Sequence, residues 1–103
     1  MSAVARPVVS VVIVNYNGGG LLLECLARLL ERTAVPIEIL LVDNASSDGS
    51  AGEASRTFPC VRLIANSANV GFARASNQGM ALARADYLLL LNPDLIVRER
   101  AVD

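Results

Sequence analysis

The amino-acid sequence predicts a three-layer α/β/α sandwich built on a mostly parallel sheet. Two observations carry that prediction: short, nearly unbroken apolar runs alternate with amphipathic or alanine-rich segments, and each apolar run ends in a polar loop. Strands covered by helices on both faces have this continuous apolar character. Alternation of strand and helix at this spacing implies right-handed βαβ crossovers. A chain of 103 residues allows one domain over residues 1–103, expected to be a partial one. With 53% hydrophobic and 18% charged residues, it has apolar surface enough to offset the entropy of ordering.

The run from Val8 to Val14 is rich in β-branched residues and reads as a central strand, ending in Asn15-Tyr16-Asn17. After Gly18-Gly19-Gly20, Leu22, Leu26, Leu29 and Leu30 fall on one helical face, and Glu24 and Arg28 make an i,i+4 pair on another. Pro36 closes that connection. Ile37 to Val42 is a second buried strand, followed by the polar loop Asp43 to Gly49. Ser50 and Glu53 have capping-box spacing for a short helix that stops near Phe58-Pro59. Val61 to Ala65 is a third strand, Asn66 to Gly71 a turn-rich loop, and Phe72 to Arg84 an alanine-rich helix able to pack closely on a sheet. Asp86 to Leu91 is the fourth strand, stopped by Asn92-Pro93-Asp94.

Several functions are excluded by composition. The chain has no histidine and no lysine, which removes Ser-His-Asp triads, Schiff bases and the phosphate-binding lysine of P-loops. A net charge of -1, with nine arginines spread from Arg6 to Arg100, gives no electrostatic footprint for nucleic acid. Cys25 and Cys60 lack metal or redox spacing and read as reduced structural thiols of a cytoplasmic protein. The first apolar run suits neither a signal peptide nor a span of about 20 apolar residues, so no membrane span is expected. A dinucleotide fingerprint beginning at Gly18 fails because Leu23 stands where a small residue is needed.

In open α/β sheets, ligands bind outside the carboxyl ends of the strands. Here those ends hold Asn15, Tyr16 and Asn17, then Asp43 and Asn44, then Asn66 and Asn69, then Asn92 and Asp94. Each alone is an ordinary loop residue that bonds its own backbone. Together they describe a site: a tyrosine ring can lie on a nucleobase, amides and carboxylates can read its edge, and an aspartate can hold a hard cation beside a diphosphate.

The segments VSVVIVNYN, LLVDNASSDGS and NVGFARASNQGMALARADYLLLLNPD match, in order and spacing, the donor-binding half of family 2 glycosyltransferases. From Val9 to Leu95 the chain resembles that family, which implies the Rossmann-like GT-A fold in truncated form. The resemblance implies that Val14, Asn15 and Tyr16 line a nucleoside pocket, with Asp43 and Asn44 at the base or ribose. Many members have Asp-Asp where this chain has Asp43-Asn44, which turns a pure acceptor into a group that also donates. The loop and helix start around Asn69, Gly71, Phe72, Ala73, Arg74 and Asn77 resemble the segment packed under the nucleotide; Arg74 faces either the phosphates or solvent. The metal motif Asp-x-Asp reads Asn92-Pro93-Asp94 here, implying Mg2+ or Mn2+ bound by Asp94 with Asn92 and completed by diphosphate oxygens and water.

The resemblance also implies inverting transfer from a nucleoside-diphosphate sugar, dTDP-rhamnose being the donor most similar members use, to an acceptor hydroxyl. Family members continue into an acceptor-binding half that supplies the general base, so no catalytic residue is assigned and the 103-residue chain is expected to bind nucleotide without transferring sugar. The alternative is a non-catalytic nucleotide-binding module. An uncovered sheet edge after Leu91 would favour a homo-oligomer.

Overall fold

The strand predicted as central from the first apolar run is one of the two interior strands of the sheet. The computed structural model describes residues 7–93. Within them lie β1 (Val9–Asn15), α1 (Gly19–Arg32), β2 (Ile37–Asp43), α2 (Ser50–Thr57), β3 (Arg62–Ala65), α3 (Phe72–Leu82) and β4 (Tyr87–Leu91). The sheet order is β3-β2-β1-β4, and all three pairings are parallel. In register, Asn15 of β1 lies beside Asp43 of β2, Asp43 lies beside Ala65 of β3, and Ile13 lies beside Leu91 of β4. β1, β2 and β3 therefore end level with one another, β4 ends two residues short of β1, and the loops that follow all four strands emerge along one edge.

Side chains alternate across the sheet with a period of two. Val11, Ile13, Ile39 and Leu41 face Leu22, Cys25 and Leu26 of α1 and Ala54 of α2, with Val61 beside them. On the opposite face, Val12, Leu40 and Val42 meet Ala75 of α3. Helices thus cover both faces, which is why β1 and β2 have no polar face. Each such aliphatic side chain contributes on the order of 1.5–3 kcal/mol when fully buried. The alanine-rich helix does pack closely: a Cβ added at Gly79 would stand 2.5 Å from Val12 Cγ1. The Glu24–Arg28 pair forms at 2.9 Å.

Two local expectations are corrected. Leu30 is exposed and lies off the buried stripe, which consists of Leu22, Cys25 and Leu26 with Leu23 and Leu29 packed against it. The capping box at Ser50 does not form. Gly49, at φ 79°, is the N-cap of α2, and the Ser50 N–H and hydroxyl both donate to Asp48 Oδ1, at 3.0 and 2.6 Å. A carboxylate two residues upstream outcompetes the reciprocal Ser–Glu arrangement.

At the opposite edge from the strand ends, Ser10 Oγ donates to Glu38 Oε2, and Glu38 also accepts from the Arg84 backbone and guanidinium. The Ala85 N–H donates to Ser10 Oγ at 3.1 Å. This cluster ties the starts of β1 and β2 to the segment entering β4. Burial pushes the Glu38 pKa up, and the hydrogen bonds from Ser10 and Arg84, with the Arg84 charge, outweigh it and leave the pKa lowered.

β4 is bonded to β1, and its Tyr87, Leu88, Leu89 and Leu90 are all exposed, at 42% or more. Both cysteines are free, Cys25 buried and Cys60 exposed; burial pushes the Cys25 thiol up to about 11, so it remains protonated and inert. Among the described residues, no helix is long and apolar enough to cross a membrane.

Candidate functional site

A cleft of about 410 Å³ opens along the edge where the strands end. Its lining comes from every part of the chain that reaches that edge. Val14 is the last half-buried residue of β1, and Tyr16, Gly18 and Leu21 follow into the start of α1. Asn44 follows β2, Asn69, Gly71 and Phe72 lead into α3, and Asn92 follows β4. The parallel strands bring these residues together at one edge from positions as far apart as 14 and 92. Tyr16 and Phe72 are 57% and 52% exposed, so neither ring is needed by the core. Two aromatic faces in one cleft form a surface suited to a flat heterocycle.

Behind this lining is a polar network joining the loops after β1 and β2, buried at Asn15, Asp43 and Ser50 and exposed at Asn17 and Asp48. Asn15 Nδ2 donates to Asp43 Oδ1 at 2.8 Å and to the hydroxyls of Ser50 and Ser46 at 2.9 and 3.2 Å. Those hydroxyls in turn donate hydrogen bonds, Ser50 Oγ to Asp48 Oδ1 and Ser46 Oγ to Asp43 Oδ1. Asn15 Oδ1 accepts from the Gly18 N–H at 3.2 Å, and Asp43 Oδ2 accepts from the Ser46 N–H at 2.9 Å. Asn17 Oδ1 accepts from the Ser47 and Asp48 N–H groups, while Asp48 Oδ2 accepts from the Gly19 N–H at 3.0 Å. Asn17 and Ala45 have φ of 51° and 63°, a left-handed turn costly for Ala45 that the surrounding bonds hold in place. The hydrogen bonds from the Ser50 hydroxyl and backbone hold the Asp48 carboxyl below its usual range.

Of the residues marked in the sequence, Val14, Tyr16, Asn44, Asn69, Gly71 and Asn92 line the cleft together. Asn15 and Asp43 lie directly behind it, 1% and 5% exposed, with their polar atoms engaged by the protein. Arg74 and Asn77 line, with Val70 and Gln78, a separate groove of about 420 Å³ beside α3. Asp94 lies outside the described residues. Gly18 and Leu21 join the lining unannounced by the sequence, because a helix-start glycine and leucine read as turn and core. The described lining carries no formal charge at neutral pH. Its electrostatics come from backbone: α1 and α3 both begin at the cleft, Asp48 already offsets the positive end of the α1 dipole through its bond to the Gly19 N–H, and α3 has no acidic residue in its first turn.

The donor set for a cation can be judged from the same geometry. Among the described residues no group of three or more His, Cys, Asp or Glu could hold a metal ion. Asn92, with a hard amide oxygen, stands at the cleft. That amide oxygen fits a magnesium-like ion that takes most of its oxygen ligands from a bound diphosphate and water.

Comparison with known proteins settles the family. The model for Glycosyl transferase family 2 matches residues 10–102. The chain belongs to glycosyltransferase family 2. It is 36% identical over 99 residues to the glycosyltransferase GlyG of Streptococcus pneumoniae, covering 92% of this chain and 33% of that protein. It is 34% identical over 99 residues to the N-acetylglucosaminyl-diphospho-decaprenol L-rhamnosyltransferase of Mycobacterium tuberculosis, covering 85% and 32%. Among solved structures, the mannosyltransferase PcManGT of Pyrobaculum calidifontis, in complex with GDP-Man and Mn2+, superposes with a TM-score of 0.75 at 28% identity, covering 87% of this chain and 28% of that one. The fold of this glycosyltransferase domain is therefore GT-A, and the chain spans about a third of the length of the curated relatives it matches.

Proposed function

We propose that this glycosyltransferase domain binds a nucleoside-diphosphate sugar, with a divalent metal, in the cleft at the strand ends. The observation that carries the reading is the convergence of Val14, Tyr16, Asn44, Asn69, Gly71, Phe72 and Asn92 on one cleft. In this reading the base lies against Tyr16 and Phe72, Val14 and Asn69 border the nucleoside, and the diphosphate runs toward Asn92. Asn15 and Asp43 contribute by fixing the loops that carry Tyr16 and Asn44, and Arg74 and Asn77 reach the ligand only from the rim of α3. Mg2+ or Mn2+ would be held by Asp94 and Asn92, neutralising charge on the leaving diphosphate. GDP-Man and Mn2+ in the mannosyltransferase structure support the ligand class, and the rhamnosyltransferase relative supports dTDP-rhamnose as the donor to test.

The chemistry this site serves is inverting transfer. An acceptor hydroxyl oxygen bonds to the anomeric carbon as the bond from that carbon to the diphosphate breaks; a general base takes the hydroxyl proton, and the nucleoside diphosphate leaves with the electron pair. No carboxylate stands among the described cleft residues, so this segment's part is to hold the donor and its metal. We place the protein in the cytoplasm, where its two free cysteines stay reduced.

A thermal-shift panel of UDP, GDP and dTDP, with and without Mg2+ or Mn2+, tests the reading. The expected result is a rise in melting temperature with one nucleotide that grows when metal is added; no rise with any combination sinks the proposal. Asp94→Ala should abolish the metal-dependent increment and leave the metal-free shift.

A further inference from the structure

The loop between β3 and α3 supplies one wall of the cleft through Asn69, Gly71 and Phe72. It leaves the sheet where the Asn66 N–H donates to the Asp43 carbonyl at 2.9 Å, and beyond that point side-chain amides tie it down. Asn44 Nδ2 donates to the Gly71 carbonyl at 3.2 Å, while Asn44 Oδ1 accepts from the Val70 N–H at 3.4 Å and from Asn66 Nδ2 at 3.1 Å. Asn66 Nδ2 also donates to Gln78 Oε1 at 2.8 Å, and Gln78 Nε2 returns a bond to Asn66 Oδ1 at 2.9 Å. Asn44 is 2% exposed.

The polarity of this chain of amides is set by the backbone. The Val70 N–H can only donate and the Gly71 carbonyl can only accept. A side chain at position 44 must therefore offer an acceptor to one and a donor to the other. An amide does so. A carboxylate has the same shape but turns a lone pair toward the Gly71 carbonyl, and it would be a nearly buried charge.

We propose that Asn44, Asn66 and Gln78 form an uncharged strap that holds the 66–71 loop against the end of β2, making Asn44 a positioning residue that sets the cleft for its nucleotide. Its second half rests on the nucleotide reading above. The strap assigns Asn44 a partner within the protein in place of a contact with the base, leaving recognition to Tyr16, Phe72 and Asn69. It also gives a role to Gln78, which lines the outer groove and not the cleft.

The test uses the 15N-labelled 103-residue chain as wild type, Asn44→Asp and Gln78→Glu, followed by amide exchange and by titration with UDP, GDP and dTDP without metal. In Asn44→Asp, the amides of Asn66, Val70 and Gly71 should exchange about tenfold faster, while those of β1 and β2 keep wild-type rates. Affinity for the preferred nucleotide should fall about tenfold or more. Gln78→Glu should shift both readouts in the same direction. Loop exchange and affinity unchanged in Asn44→Asp, or a uniform rise across the whole sheet, would overturn the strap. Should Asn44→Asp not fold, Gln78→Glu decides by the same criteria. If the wild type takes up no nucleotide, the nucleotide reading falls, and ligand-free exchange alone judges the strap.

Discussion

Gly18 and Gly20 sit two residues apart at the start of α1, yet they face opposite demands. A Cβ at Gly18 would stand 2.3 Å from Asn15 Oδ1, the atom that accepts the Gly18 N–H; a Cβ at Gly20 would meet nothing within 4 Å. Gly18→Ala should therefore push Asn15 out of its network with Asp43 and the serines and cost about 1–3 kcal/mol in urea unfolding. Gly20→Ala should stabilise the helix by about 0.5–1 kcal/mol in the same assay. Equal effects would mean that the Asn15 network does not constrain this turn. The half-exposed rings behave differently. Tyr16→Ala and Phe72→Ala should leave unfolding within about 0.5 kcal/mol of wild type. Each should weaken nucleotide binding by about tenfold, the order of one base–aromatic contact, measured by calorimetry.

At the level of the element, the strands were readable because burial on both faces leaves a local signature, an unbroken β-branched run. The loops were readable as a group, since the carboxyl ends of parallel strands lie along one edge of the sheet and the polar residues after them gather there. What the sequence did not disclose is which polar atoms the protein uses for itself. Asn15, Asp43 and Asn44 look, as types, no different from Asn69; only the register that sets Asn15 beside Asp43, with Ser46 and Ser50 bonded to them, and the bonds of Asn44 to Val70, Gly71 and Asn66 turn the three inward. The same limit explains the capping box: Ser50 and Glu53 have the spacing, but Asp48 takes the hydroxyl first.

The clamp where β1, β2 and the segment before β4 begin yields a pH prediction at this scale. The folded pKa of Glu38 is lowered, so its stabilising contribution is complete above the ordinary glutamate pKa of about 4.3 and is lost as pH falls through the lower folded value. Glu38→Gln should reduce stability by about 1–2 kcal/mol at neutral pH, the scale of hydrogen bonds to a charged group. The gap to wild type should close on acidification below about pH 4. Denaturation midpoints across pH 2–7 check this. A gap that persists undiminished at the acid end would remove the carboxylate from the account.

For the whole molecule, the asymmetry of the sheet matters most. At one edge β3 is short and carries the charged Arg62, which blunts pairing with another chain. At the other, Tyr87 to Leu91 contains neither charge nor proline, and its first four side chains are exposed across both faces. Among the described residues no strand pairs with the far side of β4, and a second copy related by a two-fold axis would add an antiparallel partner there and continue the sheet. The 103-residue chain should therefore self-associate through β4, with a mass by light scattering that rises with concentration over the micromolar range. Leu88→Lys, placing a charge on a residue 47% exposed, should return it to a monomer while leaving the melting temperature within a few degrees, because the side chain is not part of either core cluster. A monomeric wild type, or an oligomer indifferent to Leu88→Lys, would show that this edge is not the contact surface. Nucleotide affinity gives the second arm: among the described residues the cleft is built on β1, β2, α1 and α3, with Asn92 alone from beyond β4, so the monomeric variant should bind as the wild type does.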